Sequence, residues 1–427
     1  MNDEFTGMYN RYGFYETVRN ILNDNPDKKY YIICEDIKDF KLVNDLFGIE
    51  MGDWIIREVA KIFKENSPGY EVAGHMGGDK FAALIDAEIY NERILIDDIL
   101  RVGYLMVNSA YSLHSQIGVY RIEDPSVEIS IMCDRANIAI DSIKNDAQQI
   151  LAYYEDDLMS ETLYEKRIIS EFENMHDMEE FIMYLQPQVS SSGKIIGAEA
   201  LVRWLHPELG LMLPGSFISI LEKANMIYML DRHIWKLAAI KLKEWKDTEN
   251  SDLYISVNIS PKDFYYMDVF EEFTNLIENY GIDPNNLKIE ITETALMSDI
   301  ERQMNLVNRL RRYGFEVEID DFGSGYSSLG LLQEIEVDTL KLDRSMINTT
   351  NNMMNNTILD AVIYIAKSLN MKVISEGVEQ LQQVKYLRKM GCNIFQGYYF
   401  AKPMPIEDFE SNYIEEGKSR QLSMDEL

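Results

Sequence analysis

Seven strand-like stretches in the second half of the chain each end in a residue that can bind a metal or a phosphate. The stretches are IIGAEAL, LYISVNIS, LKIEIT, FEVEIDDF, TLKLD, MKVISEGV and NIFQGYYF, and the residues are Glu199, Asn258, Glu290, the pair Asp320 and Asp321, Lys341, Glu376 and Gln396. Gaps of roughly 20 to 60 residues leave room for a helix after most strands. With MYLQPQV as an eighth strand, the pattern predicts a strand–helix barrel of about 240 residues. In such barrels chemistry lies at the C-terminal ends of the strands, so these side chains should form one ring.

The remaining organisation is also α/β. Ser191, Ser192 and Gly193 predict a hairpin between the first two barrel strands, so the first strand should run antiparallel. The first half alternates helices and strands around a hairpin at Gly77 and Gly78. We predict a first domain over 1–155, a charged helical linker over 156–172, a barrel domain over 173–415 and a tail over 416–427. The linker stretch could equally be the first helix of the second domain.

Length and charge narrow the class of protein. A chain of 427 residues with 46% hydrophobic and 26% charged residues is typical of a folded protein of two or three domains. The net charge of −31 argues against binding long nucleic acid, which depends on Lys and Arg. A small anionic ligand remains compatible, because a bound cation can reverse the local field.

Cysteine usage and hydropathy point to the cytoplasm. Cys34, Cys133 and Cys392 are scattered and form no Cys-x-x-Cys pair, so neither a disulfide framework nor a zinc knuckle is indicated. No apolar run approaches the roughly 18 residues that a membrane-spanning helix needs. The N-terminus has no signal-peptide core. We therefore expect a cytoplasmic chain without a membrane segment.

The ligand types in the ring indicate a hard divalent cation. Carboxylates with an Asn carbonyl suit Mg²⁺ or Mn²⁺ rather than zinc, and no His accompanies them. Two such metals are a recurring device for phosphodiester hydrolysis. Lys341 could orient a water, deprotonate it or neutralise phosphate charge, and Arg203 could fork onto a phosphate. A single carboxylate at a strand end is more often a cap or a surface charge, but that reading explains a ring of them poorly.

The motifs of the second half resemble an EAL domain. AEALVRWLHPELG, SVNIS, LKIEITET, IDDFGSGYSS, TLKLDR, SEGVE and QGYYFAKPMP match that family in order and spacing over about 172–415. The resemblance implies metal-dependent hydrolysis of cyclic di-GMP to linear pGpG in a TIM-type (β/α)8 barrel. It implies two Mg²⁺ or Mn²⁺ ions held by Glu199, Asn258, Glu290, Asp320, Asp321 and Glu376, with Gln396 completing the metal and water shell.

The same resemblance implies roles for four further positions. Lys341 matches the water-activating lysine, Arg203 matches a phosphate contact, and Glu293 matches the glutamate that anchors the glycine loop. Ser324, a predicted substrate contact in that loop, stands where Thr is usual, and Asn393 stands where Asp is usual. Neither change removes a ligand.

The first half resembles a GGDEF domain, the nucleotide-cyclase-like α/β fold of diguanylate cyclases. The motifs are DEFTGMYNR (3–11), DIKDFKLVND (36–45), GIEMGD (48–53) and HMGGDKF (75–81). Lys80 replaces the second acidic residue of the signature, Lys38 replaces an Asp and His75 replaces an Arg. These changes imply a domain that cannot condense GTP.

Part of the nucleotide site is nevertheless retained in this half. Asn44 and Asp53 match positions that read guanine, and Asp36 and Asp79 match metal carboxylates. The domain either binds GTP as a regulatory ligand or is a structural relic.

The sequence therefore predicts a degenerate GGDEF domain followed by a cyclic di-GMP phosphodiesterase, expected to be a homodimer. A non-catalytic cyclic di-GMP receptor is the first alternative, but such receptors should lack ligands and none is missing here. A bifunctional cyclase and phosphodiesterase is the second, and Lys80 argues against it.

Overall fold

The chain separates into two compact units in a computed structural model, Met1–Arg167 and Ile168–Leu427. The structure describes residues 1–65, 69–106, 113–144, 146, 149–297, 299–323, 332, 335–347 and 353–414. Ser324 and the predicted tail over 416–427 lie outside these residues. Within them, no helix is both long and apolar enough to cross a membrane.

The first unit is a twisted sheet with helices on both faces. Its strands, in the spatial order β1-β3-β4-β2-β5-β6, are β1 (Tyr9–Asn10), β2 (Tyr30–Ile37), β3 (Val72–Gly77), β4 (Lys80–Asp86), β5 (Ser115–Arg121) and β6 (Leu151–Tyr153). Its helices are α1 (Arg11–Asp24), α2 (Phe40–Phe47), α3 (Ile49–Glu65), α4 (Glu92–Tyr104) and α5 (Ile129–Ile143). Successive residues of β2 point to opposite faces, so Ile33 packs in the core with α3 and α4 while Ile32 packs in the core with α1 and α5.

The predicted hairpin of this unit is confirmed. Gly77 and Gly78 have φ of +103° and +64° between β3 and β4, a conformation that glycine adopts without steric cost. Helix α2 is an addition to the predicted elements, because a helix of only eight residues, which buries Val43 alone, is too short for helical periodicity to reveal it. It begins after Asp39, whose φ of +54° is left-handed.

A single helix, α6 (Asp156–Glu173), covers the stretch predicted to be a charged linker. Its buried residues, Ile168 and Phe172, both belong to the second unit. Its role as a linker stays a prediction.

The second unit is a closed barrel, as predicted. Eight strands of the described chain surround it: β7 (Phe181–Ser190), β8 (Ile195–His206), β10 (Tyr254–Ile259), β11 (Leu287–Thr292), β12 (Val317–Phe322), β13 (Thr339–Leu342), β14 (Lys372–Ser375) and β15 (Ile394–Phe395). Strand β7 runs antiparallel to both β8 and β15, whereas the other neighbours are parallel. The predicted antiparallel first strand is therefore confirmed.

Helices and short strands complete this unit. Two short strands, β9 (Gly210–Met212) and β16 (Met404–Pro405), extend the sheet beyond the barrel. The helices are α7 (Ile218–Lys223), α8 (Ile227–Lys246), α9 (Asp263–Tyr266), α10 (Val269–Tyr280), α11 (Glu293–Met297), α12 (Ile300–Tyr313), α13 (Arg344–Ile347), α14 (Met353–Ser368), α15 (Leu381–Met390) and α16 (Ile406–Phe409).

An aromatic cluster packs on the antiparallel pair. Trp204 of β8 lies 4.8 Å from Phe181 of β7 and 5.7 Å from Phe217, measured between ring centroids. The Trp204 indole N–H donates to Glu180 at 2.9 Å, so its polar atom is satisfied. This cluster fixes the pairing of the two strands that begin the barrel.

We predict that Trp204→Ala lowers the free energy of unfolding of the barrel by about 3–5 kcal/mol, because it leaves a cavity in a dry cluster. Urea unfolding of the full chain, followed by hydrogen exchange in β7 and β8, measures the change. Leu205→Ala is the matched control, since the side chain of Leu205 is 53% exposed. Equal losses in the two variants would contradict the assigned role of the cluster.

Candidate metal centre

Most members of the predicted ring lie at or near the C-terminal ends of the barrel strands. Glu199 is the exception, because it is the fifth of the twelve residues of β8, and the prediction that it ends a strand is wrong. It joins the ring because it pairs with Ser256, close to the end of β10. Six members of the ring are strand residues: Glu199 on β8, Asn258 on β10, Glu290 on β11, Asp320 and Asp321 on β12, and Lys341 on β13. Glu376 and Gln396 directly follow β14 and β15, and Asp321 follows Asp320 within β12.

A cavity of about 360 Å³ opens over this ring. Its lining includes Glu199, Asp320, Asp321, Glu376 and Gln396. A larger cavity of about 570 Å³ lies between the segment 264–269 and α12, away from the ring. The carboxylates, not cavity size, identify the candidate site.

Lys341 is the cation at the centre of the ring. Its Nζ lies 2.6 Å from Glu290, 2.7 Å from Glu376, 2.9 Å from Asp320 and 3.6 Å from Glu199, and its side chain is fully buried. Burial alone would lower the pKa of Lys341, but these four carboxylates hold it well above its usual value. Among the roles open from sequence, this arrangement favours a charged lysine that orients groups over one that acts as a free base.

The backbone explains how two adjacent aspartates serve one site. In a regular strand Asp320 and Asp321 would point to opposite faces. The register between β12 and β13 shifts between Ile319 and Phe322, and Asp321 has a left-handed φ of +54°. Asp320, Asp321 and Glu376 can each offer one oxygen within 4.8 Å of the others. A rare conformation in a non-glycine residue thus coincides with the candidate site.

Amide side chains fix the orientation of Glu199. Asn258 donates to its Oε1 at 3.0 Å, and Gln396 donates to its Oε2 at 2.5 Å. The Gln396 amide oxygen accepts from Gln188 of β7 at 2.9 Å, which sets the direction of the amide. Both amides therefore lie against the carboxylate that the sequence marked as a ligand.

Charge and an unsatisfied oxygen show that the residues suit divalent cations. When all five carboxyls are ionised, they and one ammonium carry four net negative charges, which two divalent cations would neutralise. The buried Oε1 of Glu290 has no hydrogen-bond partner within the described chain. Such an atom is costly unless another group binds it. Carboxylate and amide oxygens are the ligands that Mg²⁺ and Mn²⁺ prefer.

Burial and neighbouring like charges raise the pKa values of three of these carboxyls. Burial, followed by the charges of Asp320 and Glu199 and opposed by Lys341, raises the pKa of Glu376 to about 8. Burial and Asp320 raise the pKa of Asp321 to about 6. Burial also raises the pKa of Glu290, together with Glu199. Protons and metal ions should therefore compete for these groups.

Three other predicted residues have different positions. Arg203 is buried, with its guanidinium 5.1 Å from the centre of the Tyr184 ring, and it is not among the residues that line the cavity in the described structure. Glu293 is buried at the first position of α11, directly after β11. Ser324 lies outside the described residues, so the contact between Glu293 and the glycine loop stays a prediction.

Sequence inspection missed Glu318 and Arg344 in this region, as well as Lys288 on β11. Glu318 is fully buried on β12 and pairs in register with Glu290. The alternation of Glu316, Glu318 and Asp320 could have revealed it, since such residues share one face of a strand. Arg344 lines the cavity and pairs with Glu379 at 2.8 Å. It stands two residues after the end of β13, a position that sequence inspection could also have marked.

The first unit brings together part of its predicted site. The Nζ of Lys80 lies 3.5 Å from a carboxylate oxygen of Asp36, at paired positions of β4 and β2. Burial and then the charge of Asp36 raise the pKa of Asp79. His75 lies 3.4 Å from Asp3 through its Nδ1. A lysine thus occupies the surroundings of the two carboxylates predicted to bind metal.

The residues predicted to read guanine lie on α2 and α3. The amide of Asn44 packs against Gly52, where a side-chain carbon would come within 2.0 Å of the Asn44 Oδ1. Asp53, the next residue, is half-buried on α3. Gly52 therefore allows Asn44 to approach the start of α3.

Two family profiles match the chain in sequence. The one described as "Diguanylate cyclase, GGDEF domain" matches residues 1–149, and the one described as "EAL domain" matches residues 170–403. Curated relatives include a bifunctional diguanylate cyclase/cyclic di-GMP phosphodiesterase, MucR of Pseudomonas aeruginosa, 27% identical over 95% of this chain and 61% of its own length. The cyclic di-GMP phosphodiesterase NbdA of the same organism is 29% identical over 96% and 53% of the two lengths.

Another relative and a solved structure agree with these matches. The cyclic di-GMP phosphodiesterase PdeR of Escherichia coli is 27% identical over 96% of this chain and 63% of its own. The chain thus spans less than two thirds of the length of these three relatives. A c-di-GMP complex of the PaMucR phosphodiesterase is 31% identical, covers 57% of this chain and 99% of that one, and has a TM-score of 0.55. The chain belongs to the EAL domain family, with a GGDEF domain preceding the EAL domain.

Proposed function

We propose that this protein hydrolyses cyclic di-GMP to linear pGpG in its EAL domain, in a reaction that depends on Mg²⁺ or Mn²⁺. The observation that carries the proposal is the complete ring of five carboxylates around Lys341, from Glu199 to Glu376. The names of NbdA and PdeR, and the c-di-GMP bound to the PaMucR phosphodiesterase, support the same substrate.

The metal ligands in this proposal are those marked by the sequence. They are Glu199, Asn258, Glu290, Asp320, Asp321 and Glu376, with Gln396 in the surrounding shell. Two divalent cations bound there would lower the pKa of a water and stabilise negative charge on phosphodiester oxygens.

The protein's own cations act on the water and the phosphates. Lys341 donates hydrogen bonds from a fixed, fully buried position at the centre of the ring. Arg344 at the cavity wall can contact a phosphate directly, whereas Arg203 must turn from the Tyr184 ring to do so. Glu293 and Ser324 are proposed to anchor and form the loop that covers the substrate.

Lys341→Met should lower kcat by about 100-fold or more while changing KM little, because the ammonium acts mainly in the transition state. Chromatography of nucleotide products, with cyclic di-GMP and Mg²⁺ or Mn²⁺, measures both constants. Lys385→Met on the exposed face of α15 serves as the matched control. Wild-type protein that binds cyclic di-GMP but forms no pGpG would support a receptor instead.

Metal binding should strengthen with pH in the metal-stripped protein. The folded-state pKa values of Glu376 and Asp321 are raised to about 8 and about 6. The folded protein therefore favours the protonated form of both groups, and the stability that this contributes at low pH is lost as the pH rises through that range. Mg²⁺ binds the ionised groups, so its stabilising effect should grow over the same range.

The prediction is a larger rise in Tm on adding Mg²⁺ at pH 8 than at pH 6, measured by calorimetry. Glu376→Gln should reduce this difference, whereas Glu336→Gln, whose side chain is 85% exposed, should retain it. Equal Mg²⁺ effects at the two pH values would contradict the assignment of these carboxyls as ligands.

We also propose that the GGDEF domain does not synthesise cyclic di-GMP. The ammonium of Lys80 pairs with Asp36, which reduces the negative charge available to a metal. We predict no cyclic di-GMP from GTP, tested by chromatography with Lys341→Met as background so that any product survives. If the Lys341→Met protein forms more cyclic di-GMP than a control that also carries Asp36→Ala, the domain is an active cyclase.

GTP binding by this domain is proposed as a regulatory function that rests on Asn44, Asp53, Asp36 and Asp79. Calorimetric titration of GTP into wild type and Asp53→Ala tests it. Absence of binding at millimolar GTP would leave the domain with a structural role. The homodimer and the cytoplasmic location stay predictions.

A further inference from the structure

A second buried lysine lies inside the barrel on the strands that carry the ring. The Nζ of Lys288 on β11 is 3.1 Å from Glu318, 3.1 Å from Glu316 and 3.4 Å from the centre of the Tyr254 ring. The side chains of Lys288 and Glu318 are 4% and 0% exposed. A buried ion pair of this kind is stable only while both partners are present.

This cluster lies directly beside a proposed metal ligand. Glu290 and Glu318 occupy paired positions of the parallel strands β11 and β12, and Lys288 precedes Glu290 by two residues. Side chains at paired positions point the same way, and like charges there repel. Lys288 compensates Glu318, while Lys341 at 2.6 Å compensates Glu290. Each carboxylate of the pair therefore has its own ammonium.

A chain of hydrogen bonds joins the same cluster to Glu199. The Tyr254 hydroxyl donates to Gln188 at 2.5 Å, and Gln188 donates to Gln396 at 2.9 Å. Gln396 in turn donates to Glu199 at 2.5 Å. Gly197 is required here, because a side-chain carbon would come within 2.5 Å of the Tyr254 ring. Lys288 is thus connected to two proposed ligands, by charge to Glu290 and by Tyr254 to Glu199.

We propose that Lys288 is a positioning residue for the metal-binding carboxylates, an inference that rests on the proposed function. By compensating Glu318 it prevents a further free carboxylate beside Glu290. Without it, Glu318 would repel Glu290 and compete with it for cations. Glu316 does not need Lys288 in the same way, because Lys372 also contacts it at 2.6 Å.

The test compares Lys288→Met, Glu318→Gln and the double variant in the full chain by calorimetric titration with Mn²⁺. Lys288→Met should weaken Mn²⁺ binding by about 10–100-fold, the range typical of residues that support metal ligands. The double variant should bind within about threefold of wild type, because both charges are removed together. Lys372→Met is the matched control and should bind Mn²⁺ as wild type does.

The outcomes separate positioning from simple stabilisation. A merely structural lysine would lower Tm in Lys288→Met without changing the Kd for Mn²⁺, and that result would overturn the proposal. If Lys288→Met does not fold, Lys288→Gln is titrated in its place: weaker Mn²⁺ binding that an added Glu318→Gln change restores supports the proposal, and unchanged binding overturns it.

Product analysis with cyclic di-GMP is run in parallel. Wild-type protein that binds Mn²⁺ without forming pGpG would refute the proposed function, whereas the Mn²⁺ comparison among variants would still decide the role of Lys288.

Discussion

The ammonium of Lys341 is the interaction on which the candidate site depends. It contacts carboxylates that come from β8, β11, β12 and the end of β14, so one buried cation connects strands distant in sequence. Burying charges is costly unless they are paired. Here the pairing is incomplete, because the carboxylates outnumber the ammonium. The same imbalance that strains the folded protein makes the site attract cations, which is a common relation between stability and function.

Strand β7 closes the barrel by pairing antiparallel with β8 and β15, and it also supplies amide side chains to the site. Gln186 and Gln188 of β7 contact Gln396, at 3.2 and 2.9 Å. Amides can satisfy neighbours as donors and acceptors without adding charge. Strand β7 therefore helps to orient Glu199 through Gln396 without adding negative charge beside the ring.

The sequence predicted the ring because most members lie at or near strand ends, and parallel strands bring their C-terminal ends to one face. It placed Glu199 at a strand end, whereas β8 continues to His206. It could not show how Asp320 and Asp321 face one site, because that depends on a register shift and a left-handed φ at Asp321. Lys288 and Glu318 were missed because they lie near the starts of β11 and β12. Charged residues at such positions are ordinarily expected to face solvent. Their burial follows from the closed barrel, which places them inside. Helix α2 was missed because it is only eight residues long and buries Val43 alone, while its apolar residues Leu42, Leu46 and Phe47 are exposed.

The two halves of the chain place lysines against acidic residues with different electrostatic results. Around Lys341, the five carboxylates and the ammonium carry four net negative charges once every carboxyl is ionised, enough for two divalent cations. Around Lys80, Asp36 and Asp79 leave only one, and the pKa of Asp79 is raised by burial and by Asp36. A divalent cation near Lys80 would be attracted only weakly, because the net charge there is small, and the neighbouring ammonium would repel it. The number of carboxylates per lysine, rather than the presence of a lysine, therefore distinguishes the electrostatics of the two sites.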